Sequence, residues 1–225
     1  MSKIIIYDFD GTLTKNSIPK YPILKNKHLK IKIETLFNYL LKHENGIYNS
    51  FYEMYFKQIN NMGLPFNDDT FCYGAFDVKF RDGVLEYFEE TKDDDTKHFI
   101  VTSGYAPFVE RTKIGKFIEK VFGTTYEFDG DNFIGIKNLM DNKKKVNAIK
   151  EISYYYDGDI IYIGDGLTDI YAFNCVKEEG GKCVLLRKNK FNSLTNETLL
   201  LSGVIDHYVD ADFSKNSDLY KYIKK

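Results

Sequence analysis

Asp8 and Asp10 stand two residues apart in the stretch YDFDGTLT, directly after the apolar run Ile4, Ile5, Ile6 and just before Gly11. On an extended strand, residues two apart project to the same side, roughly 6 to 7 Å along the chain, so both carboxylates can face one ligand. A pair of acids at fixed spacing allows a division of labour in phosphoryl transfer. One carboxylate attacks phosphorus while the other handles the proton of the leaving group. Asp8, at the end of the expected strand, is the better placed nucleophile, and Gly11 lets the backbone turn tightly beside a ligand. Taken alone, D-x-D-G also fits an ordinary turn with a capping aspartate. An EF-hand loop fits worse, because the required Gly falls at the wrong position and no Glu follows at the twelfth.

Two further punctuations favour the chemical reading. Asp165-Gly166-Leu167-Thr168-Asp169 repeats the strand, carboxylate, glycine order far along the chain, with Asp169 one helical turn beyond Asp165. Thr102 ends the run FIVT with a hydroxyl, and Ser103 and Gly104 offer backbone N–H groups to an anion at the approach to a helix. Several acids buried side by side cost several kcal/mol apiece unless a positive group joins them. Oxygen ligands with water in the remaining positions suit Mg²⁺, which commonly accompanies phosphate chemistry. Lys143, Lys144 and Lys145 open the segment KKKVNAIKEI. Three cations at a helix start oppose the helix dipole, so one of them is expected to point at an anion in the crevice.

These residues need a scaffold that gathers strand ends. Apolar runs expected as strands (4–8, 98–102, DIIYIG, KCVLL and VIDHYV) alternate with segments of helical spacing at about 107–120, 144–154 and 168–176. That alternation predicts βαβ units and an α/β fold whose mostly parallel sheet is covered on both faces. Functional groups in such folds collect at the carboxyl ends of the strands. Arg81-Asp82-Gly83 leads into a further helix, the D-G turn in YEFDGDNF marks a hairpin with no chemistry assigned, and Asp93 to Asp95 read as a solvated turn. Residues 15–80 interrupt the pattern. Ile31, Ile33, Leu36, Phe37, Leu40 and Leu41 keep helical spacing, followed by Phe51, Tyr52, Tyr55 and Phe56, which predicts a helical insert after the first strand.

Composition narrows the partners. A formal net charge of -2 provides no global field for nucleic acid or anionic membrane, so a charged substrate must be met locally. Three cysteines, Cys72, Cys175 and Cys183, without C-x-x-C spacing fit reduced thiols better than disulfides or zinc. With neither a signal-peptide pattern nor a membrane-length apolar run, a cytoplasmic protein is expected.

Together, YDFDGTLT, IVTSG, a lysine from KKKVNAI and IGDGLTD resemble, in order, the motifs of the haloacid dehalogenase superfamily in its Mg²⁺-dependent phosphatase branch. FRDGVLEYF and YEFDGDNF are similar to its phosphoserine phosphatase-like subgroup. The resemblance implies a Rossmann-like three-layer core from residues 1–14 and 81–225, with a helical cap at 15–80. It implies that Asp8 forms an aspartyl-phosphate and that Asp10 moves protons. Mg²⁺ would be held by the Asp8 carboxylate, the Asp10 carbonyl and Asp165, with Asp169 in support. Thr102 would bond a phosphoryl oxygen, and Lys143, or alternatively Lys144, would neutralise charge. Carbon–halogen cleavage is disfavoured, because dehalogenases lack the second aspartate. Residues 15–80 contain no arginine to bind a substrate carboxylate. Arg81, Lys25 or Lys27 could substitute, and Tyr48, Tyr52, Tyr55 and Phe56 would suit a less polar or cationic leaving group. The expected substrate is a small phosphorylated metabolite. A signalling receiver that accepts phosphate fits less well, since receivers lack an insert and phosphorylate an aspartate on a later strand.

Overall fold

The computed structural model describes residues 2–15, 67–92, 95–187 and 194–224. The helical expectation for residues 16–66 lies outside the described residues, as do Lys25, Lys27, Tyr48, Tyr52, Tyr55 and Phe56.

The central apolar runs form strands buried on both sides, whereas β7 at the sheet edge is partly exposed. Ile4 to Tyr7 in β1 (Lys3–Tyr7) are each 0% exposed, as a central parallel strand requires. The other strands are β2 (Thr96–Tyr105), β3 (Lys120–Asp129), β4 (Asn132–Asn138), β5 (Asp159–Gly164), β6 (Lys182–Arg187) and β7 (His207–Asp210). They form one sheet in the order β4-β3-β2-β1-β5-β6-β7. Every pairing is parallel except that of β3 with β4, the hairpin that turns at Gly130 with φ of 56°.

Strand alternation splits the core into two layers. Ile5, Tyr7, Ile161 and Ile163 pack with Val84, Tyr87 and Phe88 of the helix Val84–Thr91 and with Leu219 and Ile223 of the helix Asp218–Lys224. Ile4, Ile6, Ile160 and Tyr162 face the other way, onto the helices Lys144–Tyr155 and Ile170–Glu178. A mostly parallel sheet between two helical layers is the Rossmann-like arrangement expected.

Two local expectations need correction. The helix expected over about 107–120 runs only from Ala106 to Glu110, followed by a 3₁₀ turn at Gly115–Phe117. Thr112 donates its hydroxyl to the Val109 carbonyl at 2.7 Å, and a Cβ at Gly115 would lie 2.0 Å from the Glu110 carbonyl, so a tight turn replaces the helix there. Asp8, expected as the last residue of the first strand, lies one residue beyond β1.

The described chain resumes with the short helix Asp68–Cys72, capped by Asn67, whose side chain accepts the Thr70 N–H at 2.9 Å. Phe71 on this helix packs against Tyr126, Phe128 and Phe133 of the β3–β4 hairpin, with ring centroids 5.1, 5.9 and 6.2 Å away. The three cysteines are free and buried. Among the described residues, no helix is long and apolar enough to cross a membrane.

Candidate active site

The sheet register brings three distant stretches to one edge. Tyr7 pairs with Ile100 on one side and with Ile163 on the other, so Asp8 and Asp165, each just past its strand, and Thr102, still within β2, all lie within two residues of the end of the β1 ladders. The Asp8 N–H still donates to the Ile163 carbonyl at 3.0 Å, which holds its backbone as firmly as strand membership would.

Alternation then selects the cationic partner. Asp8 has the parity of Ile4 and Ile6, so it faces the layer that contains the helix Lys144–Tyr155. The buried residues of that helix are Lys145, Ala148, Ile149 and Ile152, the i, i+3, i+4, i+7 stripe of an amphipathic helix. Lys145 therefore enters the interior with its stem along apolar neighbours. Its Nζ lies 2.8 Å from Asp8 Oδ1 and 2.8 Å from Asp169 Oδ1.

Lys143 and Lys144 are exposed. Two residues turn a helix by roughly 200°, which places Lys143 across from the stripe. The lysine expected at Lys143, with Lys144 as the alternative, is thus corrected to Lys145. Counting back from Val146 misleads because Val146 is only partly buried, whereas Ala148, Ile149 and Ile152 set the phase. The unfavourable cations at the helix start are offset by Asp141, whose carboxylate accepts the Lys144 N–H at 2.8 Å.

Asp169 is 0% exposed. Its Oδ1 accepts from Lys145 and from the Tyr162 hydroxyl at 2.8 Å each, and its Oδ2 accepts the backbone N–H groups of Asp165 and Gly166 at 3.1 and 3.4 Å. Those four donors use the acceptor capacity of a carboxylate. Asp169 thus suits holding Lys145 and the Asp165 loop in place more than direct ligation of an ion. A Cβ at Gly164 would fall 2.7 Å from Asp169 Oδ2, so this close approach requires glycine. Tyr162→Phe is expected to lower stability by about 1.5–3 kcal/mol, the worth of one buried bond to a charged group, read as a shift of the urea midpoint at unchanged m.

The oxygens of Asp8, Asp165 and Asp169 lie within 4.8 Å of one another, and all three residues are buried. Thr12 Oγ1 sits 3.5 Å from Asp8 Oδ2 and 3.4 Å from Asp165 Oδ1. Its single proton serves one of them at a time. Lys145 is shared by two of these three buried carboxylates, and acids buried side by side favour a further cation among their oxygens. Oxygen donors of this kind fit Mg²⁺. The Asp8 carboxyl is raised to about 6, chiefly by burial and further by Asp169, against the opposing pull of Lys145. On Lys145, burial opposes the charge, but Asp169 and Asp8 outweigh it and hold the ammonium above its ordinary range.

The remaining expected residues are placed as follows. Asp10 is partly buried at the start of the turn, where Gly11 has φ of 86°, and its carboxylate lies outside the 4.8 Å group. Thr102 is 1% exposed, and its Oγ1 accepts the Gly104 N–H at 3.0 Å. This corrects the expectation that Gly104 offers its N–H to an anion, because the local turn uses it. Ser103 is partly buried, and its carbonyl accepts the Thr124 hydroxyl at 2.8 Å. Arg81 was expected as a substrate contact. Its Nε and Nη2 instead donate to the Gly11 carbonyl at 3.1 and 2.6 Å.

Sequence reasoning missed three members of this cluster. Lys145 was visible in the helical phase of its own segment. Tyr162 shows only as a hydroxyl-bearing residue in the apolar run IIYIG, and Thr12 shows only as part of the turn after Asp10. Asp165, beside Thr12, comes from a distant part of the chain, whereas Asp169, the partner of Tyr162, lies seven residues further along the same segment.

Comparison with known proteins bears on the fold and the family. No curated protein is significantly similar in sequence. Among solved structures, a HAD family hydrolase from Salmonella enterica subsp. enterica serovar Typhi has a TM-score of 0.69 at 16% identity, covering 96% of this chain and 72% of that one. A phosphoserine phosphatase in apo form gives 0.65 at 15% identity, covering 100% and 98%. A phospho-aspartyl intermediate analogue of phosphoserine phosphatase gives 0.59 at 17%, covering 99% and 98%. Likeness at such identities speaks for the fold. The haloacid dehalogenase-like hydrolase family matches residues 5–174, a span that holds Asp8, Thr12, Lys145, Asp165 and Asp169. The chain therefore belongs to the haloacid dehalogenase-like hydrolases.

Proposed function

We propose that this hydrolase is a Mg²⁺-dependent phosphomonoesterase that acts on a small phosphorylated metabolite through an aspartyl-phosphate on Asp8. The observation that carries the reading is the buried Lys145 ammonium shared between Asp8 and Asp169, 2.8 Å from each, beside Asp165 at the carboxyl edge of the sheet. In this reading Asp8 attacks phosphorus, and its position against the Ile163 carbonyl fixes the line of attack. Asp10, on the turn two residues further, gives its proton to the departing alkoxide and then takes one from the water that cleaves the acyl phosphate. Lys145 and the Thr102 hydroxyl face the charge that spreads over the phosphoryl oxygens. Asp8, Asp165 and the Asp10 carbonyl would hold Mg²⁺, which supplies charge neutralisation when bound. Asp169 supports both Lys145 and the Asp165 loop.

The division of labour gives a test within the pair. Asp10→Asn is expected to slow hydrolysis of an aryl phosphate by about 10² to 10⁴-fold. Mg²⁺ affinity by calorimetry should stay close to that of the parent. A primary loss of metal affinity would contradict the acid and base role.

The phosphoserine phosphatases supply a fold analogy, and free phosphoserine is a candidate substrate on that ground only. Arg81 is occupied by the Gly11 carbonyl, which leaves the substrate carboxylate without the arginine nearest the insert. A panel of phosphorylated metabolites scored by kcat/KM with Mg²⁺ tests the reading. Phosphate release from at least one member supports it, and no release from any member or from an aryl phosphate would reject it. A cytoplasmic location is consistent with three free, buried thiols and belongs to the same proposal.

A further inference from the structure

Arg81 lies 70 residues from Gly11 in sequence, yet two of its guanidinium nitrogens converge on the Gly11 carbonyl at 3.1 and 2.6 Å. Around it the outgoing and returning chains are joined by further contacts. The Arg81 N–H donates to the Leu13 carbonyl at 2.9 Å, Thr14 and Phe80 form an antiparallel bridge, and Lys15 pairs with Asp82 at 3.0 Å. The last pair is exposed, whereas Arg81 is partly buried, and that burial lowers its affinity for the proton. A charged fork taken out of water and spent on a single peptide oxygen makes sense if that peptide must not move.

The peptide in question sits between the two groups that matter. Gly11 follows Asp10 and adopts φ of 86°, a conformation that leaves its peptide plane free to rotate unless held. Thr12 follows, with its hydroxyl within 3.5 Å of Asp8 and 3.4 Å of Asp165. We propose that Arg81 is a positioning residue that clamps the Gly11–Thr12 peptide, and so fixes where Asp10 and Thr12 stand relative to Asp8, in place of binding a substrate carboxylate. This rests on the phosphatase reading for its kinetic consequences alone. The clamp itself is a property of the loop.

The test uses the full chain with Arg81→Ala and Arg81→Lys, and Lys15→Ala as a control for the neck. With an aryl phosphate and Mg²⁺, Arg81→Ala should lose roughly ten-fold or more in kcat with KM within about two-fold, the loss expected for hydrogen bonds from a charged donor to a group acting in the transition state. Guanidinium at low millimolar concentration should restore part of the rate, while methylammonium at equal ionic strength should not. Arg81→Lys, which keeps the charge without the fork, should fall between parent and Ala, and Lys15→Ala should match the parent. A rise in KM at constant kcat, confined to substrates with a carboxylate, would overturn the clamp in favour of substrate binding. So would a folded Arg81→Ala enzyme that guanidinium does not rescue. Amide hydrogen exchange over residues 9–14 provides a readout independent of turnover. Faster exchange in Arg81→Ala, slowed by guanidinium, supports the clamp even if the parent hydrolyses nothing, an outcome that would reject the phosphatase reading by itself. Unchanged exchange rejects the clamp. If Arg81→Ala does not fold, the same comparison is made on Arg81→Lys.

Discussion

Asp8→Asn is expected to reduce hydrolysis of an aryl phosphate at least about a thousand-fold, to the background of the assay, while leaving the protein folded. The substitution is nearly isosteric, and the backbone contact from the residue 8 N–H to the Ile163 carbonyl survives it. What disappears is the nucleophile and one of the two negative charges on Lys145. Two measurements check it. Steady-state phosphate release should vanish, and acid-quenched parent enzyme should carry a covalent phosphate on the peptide containing Asp8 that the variant lacks. Turnover retained in Asp8→Asn would remove the nucleophile assignment and with it the aspartyl-phosphate.

The second large effect separates Lys145 from its neighbours. Lys145→Met preserves the stem and deletes the ammonium, leaving Asp8 and Asp169 buried without their shared cation. Breaking a buried ion pair from one side costs about 3–5 kcal/mol, because the orphaned charge keeps its desolvation penalty. A matching fall in the urea midpoint is expected, together with a loss of roughly 10² to 10³-fold in kcat from the missing charge stabilisation. The Asp8 carboxyl, already raised by burial, should rise further, since its main counterweight is Lys145. Lys143→Met is the control: an exposed residue on the far side of the helix, it should change stability by no more than about 0.5 kcal/mol and leave kcat within two-fold. Equal effects at both positions would refute the placement of the cation.

The same pair of lysines shows how local pattern and tertiary structure share the information. Residue type and dipole opposition were enough to predict that some lysine of the run meets an anion. Choosing among three adjacent lysines needed the phase of the buried stripe, and the sequence carried that phase in Ala148, Ile149 and Ile152. The length of the segment after Pro107 was misjudged for a related reason. Its apolar spacing continues past Glu110, but a local turn that brings Gly115 against the Glu110 carbonyl, with the Thr112 hydroxyl on the Val109 carbonyl, ends the helix early.

Other features could not be read from the chain at all. Arg81 bordered the insert and invited a substrate role, because nothing in FRDG indicates a carbonyl 70 residues upstream. The saturation of Asp169 combines near neighbours in its own segment, Tyr162 and the peptide N–H groups of Asp165 and Gly166, with Lys145 from a separate helix, and that last contact is the tertiary one.

The sequence by itself determined the alternating α/β order, the burial of the strands and the set of groups at their ends. These follow from periodicity and side-chain chemistry, which are local. Tertiary structure alone decided which groups touch. Contact between Asp8, Thr12, Lys145, Asp165 and Asp169 is set by sheet register, face parity and helix phase acting together, and a shift of one residue in any of them would turn a side chain away from the site.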